Sequence, residues 1–185
     1  FENIAKDFQD FDFVKERVIM EAVGRERNEE LLSDVPHQNR EDLALIYKVL
    51  VNSDKEGIGS ITIHNNHLNF WDVSVEELHE LAVENTERLL PARVQSMSEV
   101  MREIFAKDGM DEDMLEMLCE ERAADEQMYV ISNDCKVNGA AAIFYEEVLS
   151  NLAEKVGSDL FILPSSIHEC IAVSTNSFTA EGLAE

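Results

Sequence analysis

Basic residues are scarce in this chain: 15 Lys and Arg stand against 39 Asp and Glu, for a formal charge of −24. A field of that sign repels phosphate and anionic lipid, so a role on duplex nucleic acid or at a membrane surface is disfavoured. Cysteine is scarce too. Cys119, Cys135 and Cys170 include no close pair, which excludes a Cys-x-x-Cys metal or redox signature, and an odd number closes no full disulfide framework. Such a chain suits the reducing cytoplasm, and neither a disulfide nor a bound metal or cofactor is expected. With only seven Gly and three Pro, it is not collagen-like or linker-rich. No stretch approaches the roughly 18 consecutive apolar residues of a membrane helix. The start, Phe1-Glu2-Asn3, has no basic leader-type segment and no methionine, which suggests a trimmed start and leaves a cleaved leader open.

What is present is ample apolar material, 45% of 185 residues, enough to offset the chain entropy of folding. Residues 1–185 are expected to form one α+β domain, with a mixed, largely antiparallel sheet of roughly five to seven strands. Phe1, Ile4, Ala5, Phe8 and Phe11 recur at helical spacing. Strands are then read at Val18 to Val23, Leu43 to Val51 and Ser60 to Ile63, the last two as a hairpin turning at Asn52 to Gly57. The helical middle is punctuated. Ser74 with Glu77 and Ser96 with Glu99 are capping boxes, Pro91 ends the first helix, Gly109 can cap the second, and Asp111 can start a third through Leu118. The last third reads as strand, helix, strand, strand: Met128 to Ile131, an apolar stripe from Ala141 to Val156 stopped by Gly157, Leu160 to Leu163, and His168 to Val173. The helix between the first two strands permits a parallel, neighbouring pair.

Trp71 with Glu76-Glu77-Leu78, Ala82, Asn85-Thr86 and Pro91, then Asn133 with Gly139-Ala140-Ala141, then Ile162 to Glu169, occur in that order in a known family. The chain resembles an uncharacterised family of Firmicutes proteins catalogued as a domain of unknown function (domain of unknown function 5688). The likeness runs from about Val14 onward, and Leu-Pro-Ser-Ser-Ile-His-Glu is its most specific string. It implies a bacterial cytosolic protein and carries no activity or catalytic residues to transfer. Members of that family continue through another helical stretch after the final strand, which leaves the completeness of the domain at Glu185 open.

The chemistry-bearing candidates centre on Ser165, Ser166, His168 and Glu169, where an apolar strand ends at Pro164. Nucleophilic catalysis needs a hydroxyl, a base and a group that orients the base, and the string holds all three types. On an extended segment, however, His168 and Glu169 point to opposite sides, and no Gly-x-Ser-x-Gly elbow exposes a serine. The bland alternative is a turn whose hydroxyls satisfy backbone amides, with His168 and Glu169 anchoring a neighbouring loop; it is the favoured reading. Glu169 shares a strand face with Ile167, Ile171 and Val173, so it should be paired or have a raised pKa. His64 and His67 lie at helical spacing but lack further ligands for zinc, and Asn65 reads as a helix cap. Asn133, like Asn85-Thr86, either lines a cleft or bonds its own backbone, the latter being commoner. Gly57-Ile58-Gly59-Ser60 lacks the lysine and third glycine of a phosphate loop.

The expectation is therefore a cytosolic acidic protein, more a binding or regulatory module than an enzyme, with an unknown protein or small-molecule partner and neither nucleic acid nor membrane as ligand. A serine hydrolase using Ser165 or Ser166 with His168 is the runner-up. An acidic mimic of nucleic acid is the third reading, weakened because the carboxylates are spread over several helices rather than set in rows.

Overall fold

The computed structural model describes residues 7–54, 57–111 and 128–183. The branched runs expected as strands form β1 (Val18–Gly24) and β3 (Leu43–Asp54), paired antiparallel from Val18 opposite Val49 to Gly24 opposite Leu43. The other edge of β3 is shared. A strand not anticipated from the polar sequence, β2 (His37–Arg40), covers Leu43 to Ile46, and β4 (Gly57–Thr62) continues from Lys48 outward. The expected hairpin is therefore present, with β3 and β4 running further into the turn. Because β1 has seven residues against twelve in β3, the β3–β4 pair outruns β1 and projects as a two-stranded ribbon, with a bulge between Leu50 and Asn52 where it departs.

Alternation distributes this sheet between two apolar environments. Val18, Met20, Ala22, Leu45, Tyr47 and Val49 enter the main core, whereas Val23, Ala44 and Ile46 face a smaller cluster closed by Leu31 and Leu32. Burial on both faces explains why the strands read as near-continuous hydrophobic runs. The exception is Glu21. It is 5% exposed and meets the Lys48 ammonium at 2.8 Å, which offsets the cost of placing a carboxylate there.

Three short helices, α1 (Phe11–Val14), α2 (Glu29–Asp34) and α3 (Asn65–Trp71), precede two longer ones, α4 (Val75–Leu89) and α5 (Met97–Lys107). Both capping boxes form as expected. The Ser74 hydroxyl accepts from the Glu77 amide at 3.1 Å while the Glu77 carboxylate takes the Ser74 N–H, and Ser96 and Glu99 repeat the exchange at the head of α5. Gly109, at φ +80°, adopts the left-handed conformation just past α5. Past Asp111, the expected helix through Leu118 lies outside the described residues, as does the stretch Phe1 to Lys6.

A second sheet follows, with β5 (Ala92–Ser96), β6 (Met128–Asn133), β8 (Cys170–Ser174) and β7 (Leu160–Pro164) in that order, every pair antiparallel. The α+β class and the strand, helix, strand, strand order of the last third hold. The expected neighbouring parallel pair does not. The turn after Pro164 folds β8 back between β6 and β7, so those two strands share a direction without touching. Strands are also divided between two four-stranded sheets rather than gathered in one. The apolar stripe from Ala141 to Val156 breaks in two, a 3₁₀ segment Gly139–Phe144 and a helix α6 (Val148–Val156), with Glu147 at φ +62° between them. Gly157, at φ +72°, ends α6 as expected, and a last turn, α7 (Ala180–Leu183), follows β8. Tyr129, Ile131 and Ala172 of the second sheet join Leu78 and Ala82 of α4 in the main core.

Helix α4 ties the first sheet together through polar atoms. The buried Thr86 hydroxyl accepts the Met20 N–H at 2.9 Å and donates to the Ala82 carbonyl, giving the edge of β1 the acceptor that a further strand would have supplied. Beside it, Asn85 Nδ2 donates to the Lys15 carbonyl at 2.8 Å and Arg88 to the Glu16 carbonyl at 3.0 Å. The two residues read as cleft-lining or backbone-bonding thus do the second. Thr86→Val should leave a buried amide without an acceptor and lower stability by about 1–3 kcal/mol. Thr86→Ser keeps the hydroxyl and should lose only about 1 kcal/mol for the missing methyl. Urea unfolding of the three proteins compares them directly; equal losses for both variants would mean the hydroxyl contributes nothing.

Candidate functional site

The Pro164 to Glu169 string is a backbone clamp. The amides of Ser165 and Ser166 both donate to the Glu169 carbonyl, at 3.3 and 3.2 Å, and the Ser166 hydroxyl accepts the His168 N–H at 3.0 Å. His168 then reaches across to the 3₁₀ segment, its Nδ1 accepting the Asn138 N–H at 3.0 Å, while its carbonyl takes the Ser132 hydroxyl at 2.7 Å. The Ile167 carbonyl accepts from Ala140 at 3.1 Å. Gly139 allows this approach: a Cβ there would sit 2.3 Å from the Ser132 Oγ, 2.6 Å from the His168 carbonyl and 2.7 Å from the Asn133 amide. Asn133, fully buried, closes the same corner by bonding the Val137 carbonyl at 2.8 Å and its amide at 3.3 Å.

The tautomer follows from these bonds. A neutral imidazole whose Nδ1 accepts carries its proton on Nε2. A general base toward serine needs the reverse, with Nδ1–H held by an acceptor and Nε2 open. Glu169 provides no such acceptor to Nδ1; it is half-buried, and its carbonyl closes the turn. The buried carboxylate expected here occurs instead at Glu21. Next to Glu169, burial foremost and the neighbouring carboxylate second push the Cys170 thiol up to about 11.

Two concavities flank these elements. Pro164, Ser165, Ser166 and Ile167 form one wall of a cleft of about 930 Å³ opposite Arg25, Asn28 and His37, so the serines face open space while His168 is not among the residues lining it. Both signs of charge meet there, Arg25 and Arg27 with Glu26, Glu29, Glu41 and Asp42.

The second concavity, about 1080 Å³, lies between the projecting ribbon and α3, and the sequence reading missed it. Phe8, His67, Phe70 and Trp71 form one wall; Val51, Gly59 and Ile61 form the other. The rings support one another: Phe8 meets His67 edge-on at 4.9 Å and Trp71 at 5.1 Å, and the Trp71 indole N–H donates to the Phe8 carbonyl at 3.2 Å. Phe70 is 65% exposed, more than any other large apolar residue among those described. The available signal was His67, Phe70 and Trp71 at three- and four-residue spacing on one helix, read there only as helix content.

His64 and His67 are both occupied with structure. His67 Nδ1 accepts the His64 N–H at 3.0 Å, closing the first turn of α3, and His64 Nδ1 meets Asp34 at 2.7 Å, so the cap of this helix is His64 rather than Asn65. Among the described residues no group of three or more His, Cys, Asp or Glu could hold a metal.

This architecture defines an α+β protein of two antiparallel four-stranded sheets with an aromatic-walled pocket on one flank. The chain belongs to a family of unknown function (DUF5688), whose model matches residues 2–185. No curated protein and no solved structure matches it.

Replacing His168 by Ala should release the Asn138 amide and destabilise the fold by about 1–3 kcal/mol, against about 1 kcal/mol or less for Ser166→Ala. Labelling of the parent protein by a fluorophosphonate, lost in one serine variant that stays folded, would contradict the clamp reading. A pH dependence follows from His67, whose pKa is held below its ordinary 6.5 by burial first and by His64 second. The unfolded chain then binds more protons, so this contribution is complete above pH 6.5 and is lost as pH falls through the lower folded value. His67→Gln can keep the reach-back bond without titrating. The urea midpoint of the parent, measured relative to that variant, should decline below pH 6.5; parallel profiles would exclude His67 as the titrating group.

Proposed function

We propose that this chain is a ligand-binding module and not an enzyme, and that the pocket between the β3–β4 ribbon and α3 is where it binds. The observation that carries this reading is the combination of volume and walls: about 1080 Å³ lined by aromatic and aliphatic side chains, with Phe70 left 65% exposed at its rim. Phe70 gains little burial in the folded chain, so a molecule that covers its ring would add that burial on binding. Concave, largely apolar sites with a few polar groups are the usual form of small-molecule sites.

The hydrolase alternative draws on Ser165 and Ser166 facing the polar cleft, but His168 carries its proton on the nitrogen that would have to accept one. The nucleic-acid decoy draws on the charge of −24 alone. The buried, unpaired thiol of Cys170 favours the reducing cytoplasm as the compartment. The family resemblance favours a bacterial one.

The chain's single tryptophan is Trp71, so its emission reports on this pocket. The neutral dye N-phenyl-1-naphthylamine should bind saturably and quench Trp71 by energy transfer. Phe70→Ala should weaken that binding roughly tenfold, since losing one ring contact removes about 1.4 kcal/mol, while the urea midpoint stays nearly unchanged. Dye binding that is equal in the parent and in Phe70→Ala would place the ligand elsewhere.

A further inference from the structure

Around the polar cleft, three side chains are each held by one bond to a backbone carbonyl and keep a second polar function over. The Arg25 guanidinium donates to the Glu41 carbonyl at 2.8 Å and makes no ion pair among the described residues. Asn28 Nδ2 donates to the Gly24 carbonyl at 2.8 Å, which leaves Oδ1 as an acceptor. His37 Nδ1 meets the Val35 carbonyl at 3.0 Å, so in the neutral ring that nitrogen carries the proton and Nε2 accepts. All three residues line the cleft. From this set we infer that the cleft is a second binding site, for a zwitterionic amino acid with an apolar side chain, its carboxylate on Arg25 and its ammonium on Asn28 and His37. The site is independent of the aromatic pocket.

Charge complementarity selects a zwitterion over an ion. A guanidinium anchored on a carbonyl presents its remaining N–H groups in a planar fork that fits a carboxylate. Glu26, Glu29, Glu41 and Asp42 border the same cleft, and a chain of −24 repels a net anion, so the carboxylate needs a positive group on its own molecule. An ammonium supplies it. Its N–H donors meet neutral acceptors that are already oriented, and the bordering carboxylates favour its charge. A simple cation has nothing to offer Arg25 and is repelled by it.

The apolar side chain follows from the other lining residues. Ala22 and Leu43 of the first sheet and Ala140 of the 3₁₀ segment contribute apolar surface, and Ile167, 41% exposed, stands on the wall formed by the Pro164 turn. An aliphatic side chain laid against Ile167 gains burial that the folded chain does not supply. That wall is fixed before a ligand arrives, because the Ile167 carbonyl takes the Ala140 N–H and the Ser166 hydroxyl takes the His168 N–H. With the polar groups also tied to backbone, little ordering cost is left for binding. The volume of about 930 Å³ is within the range of small-molecule sites.

The test is an NMR titration of the isotope-labelled full chain with L-leucine, L-leucinamide, N-acetyl-L-leucine and glycine. L-leucine should give saturable shifts at residues 25–28 and 165–167. The three analogues lack the carboxylate, the ammonium or the side chain, and each should bind weaker by about tenfold or more. Arg25→Gln should weaken L-leucine about tenfold and leave L-leucinamide unchanged, and because Arg25 is exposed the urea midpoint should match the parent. Arg25→Lys, which keeps the charge without the fork, should fall between the two; His37→Leu should weaken L-leucine and L-leucinamide alike. No saturable shift with millimolar L-leucine, an analogue that binds as tightly, or a preference over L-leucinamide that survives Arg25→Gln would overturn the inference. The dye should still bind the leucine-loaded protein. Competition between the two would move leucine to the aromatic pocket, overturning the cleft assignment while the pocket reading stands.

Discussion

A single threonine hydroxyl stands where a strand would otherwise have to be. β1 is the edge of its sheet, and an unpaired buried amide on an edge costs as much as a lost hydrogen bond or more. Thr86 accepts the Met20 N–H from the middle of α4, and Asn85 and Arg88 hold the carbonyls just before β1. The sheet therefore ends at β1, α4 lies along that edge, and Leu78 and Ala82 of the same helix enter the main core. Pro91 then releases the chain into β5 and the second sheet. Without this closure the core would border an open row of backbone donors.

Backbone needs consume most of the residues that looked like chemistry. Ser166, His168 and Asn133 bond main-chain groups, and the approach of their strands depends on Gly139 having no side chain. His67 closes a helix turn and His64 holds Asp34. The same residue types serve catalysis and backbone satisfaction because both need a compact donor or acceptor at a fixed place. What separates the uses is which nitrogen or oxygen is already committed. At His168 that is Nδ1, and the commitment runs opposite to the one a serine base requires.

Local rules made part of this legible. The two capping boxes depend only on residues three apart, so Ser74 with Glu77 and Ser96 with Glu99 were readable directly. The β3–β4 hairpin and the Pro164 turn were readable for the same reason, and the backbone-bonding reading of Ser166 and His168 came from the residues themselves. Pairing between distant segments was not. Whether β7 lies beside β6 or beyond β8 depends on how the turn after Pro164 folds back, which a helix-between-strands pattern leaves open. β2 was missed because His37-Gln38-Asn39-Arg40 has no apolar alternation; it is a strand because β3 offers it an edge. The stripe from Ala141 to Val156 has helical spacing throughout, and its break at Glu147 comes from burial of the Gly139 to Ile143 segment against the second sheet.

The aromatic pocket belongs to a third category, set by neither local pattern nor a single pairing. It exists because β3 is five residues longer than β1, so the ribbon has no sheet to lie in, and because α3 leaves the sheet with Trp71 inward and Phe70 outward. Lengthening β1 would cover the ribbon and shorten the wall. The acidic coat gives the same surface a second meaning. Like-charged chains of −24 repel one another, which opposes self-association at the apolar opening where Phe70 stands exposed.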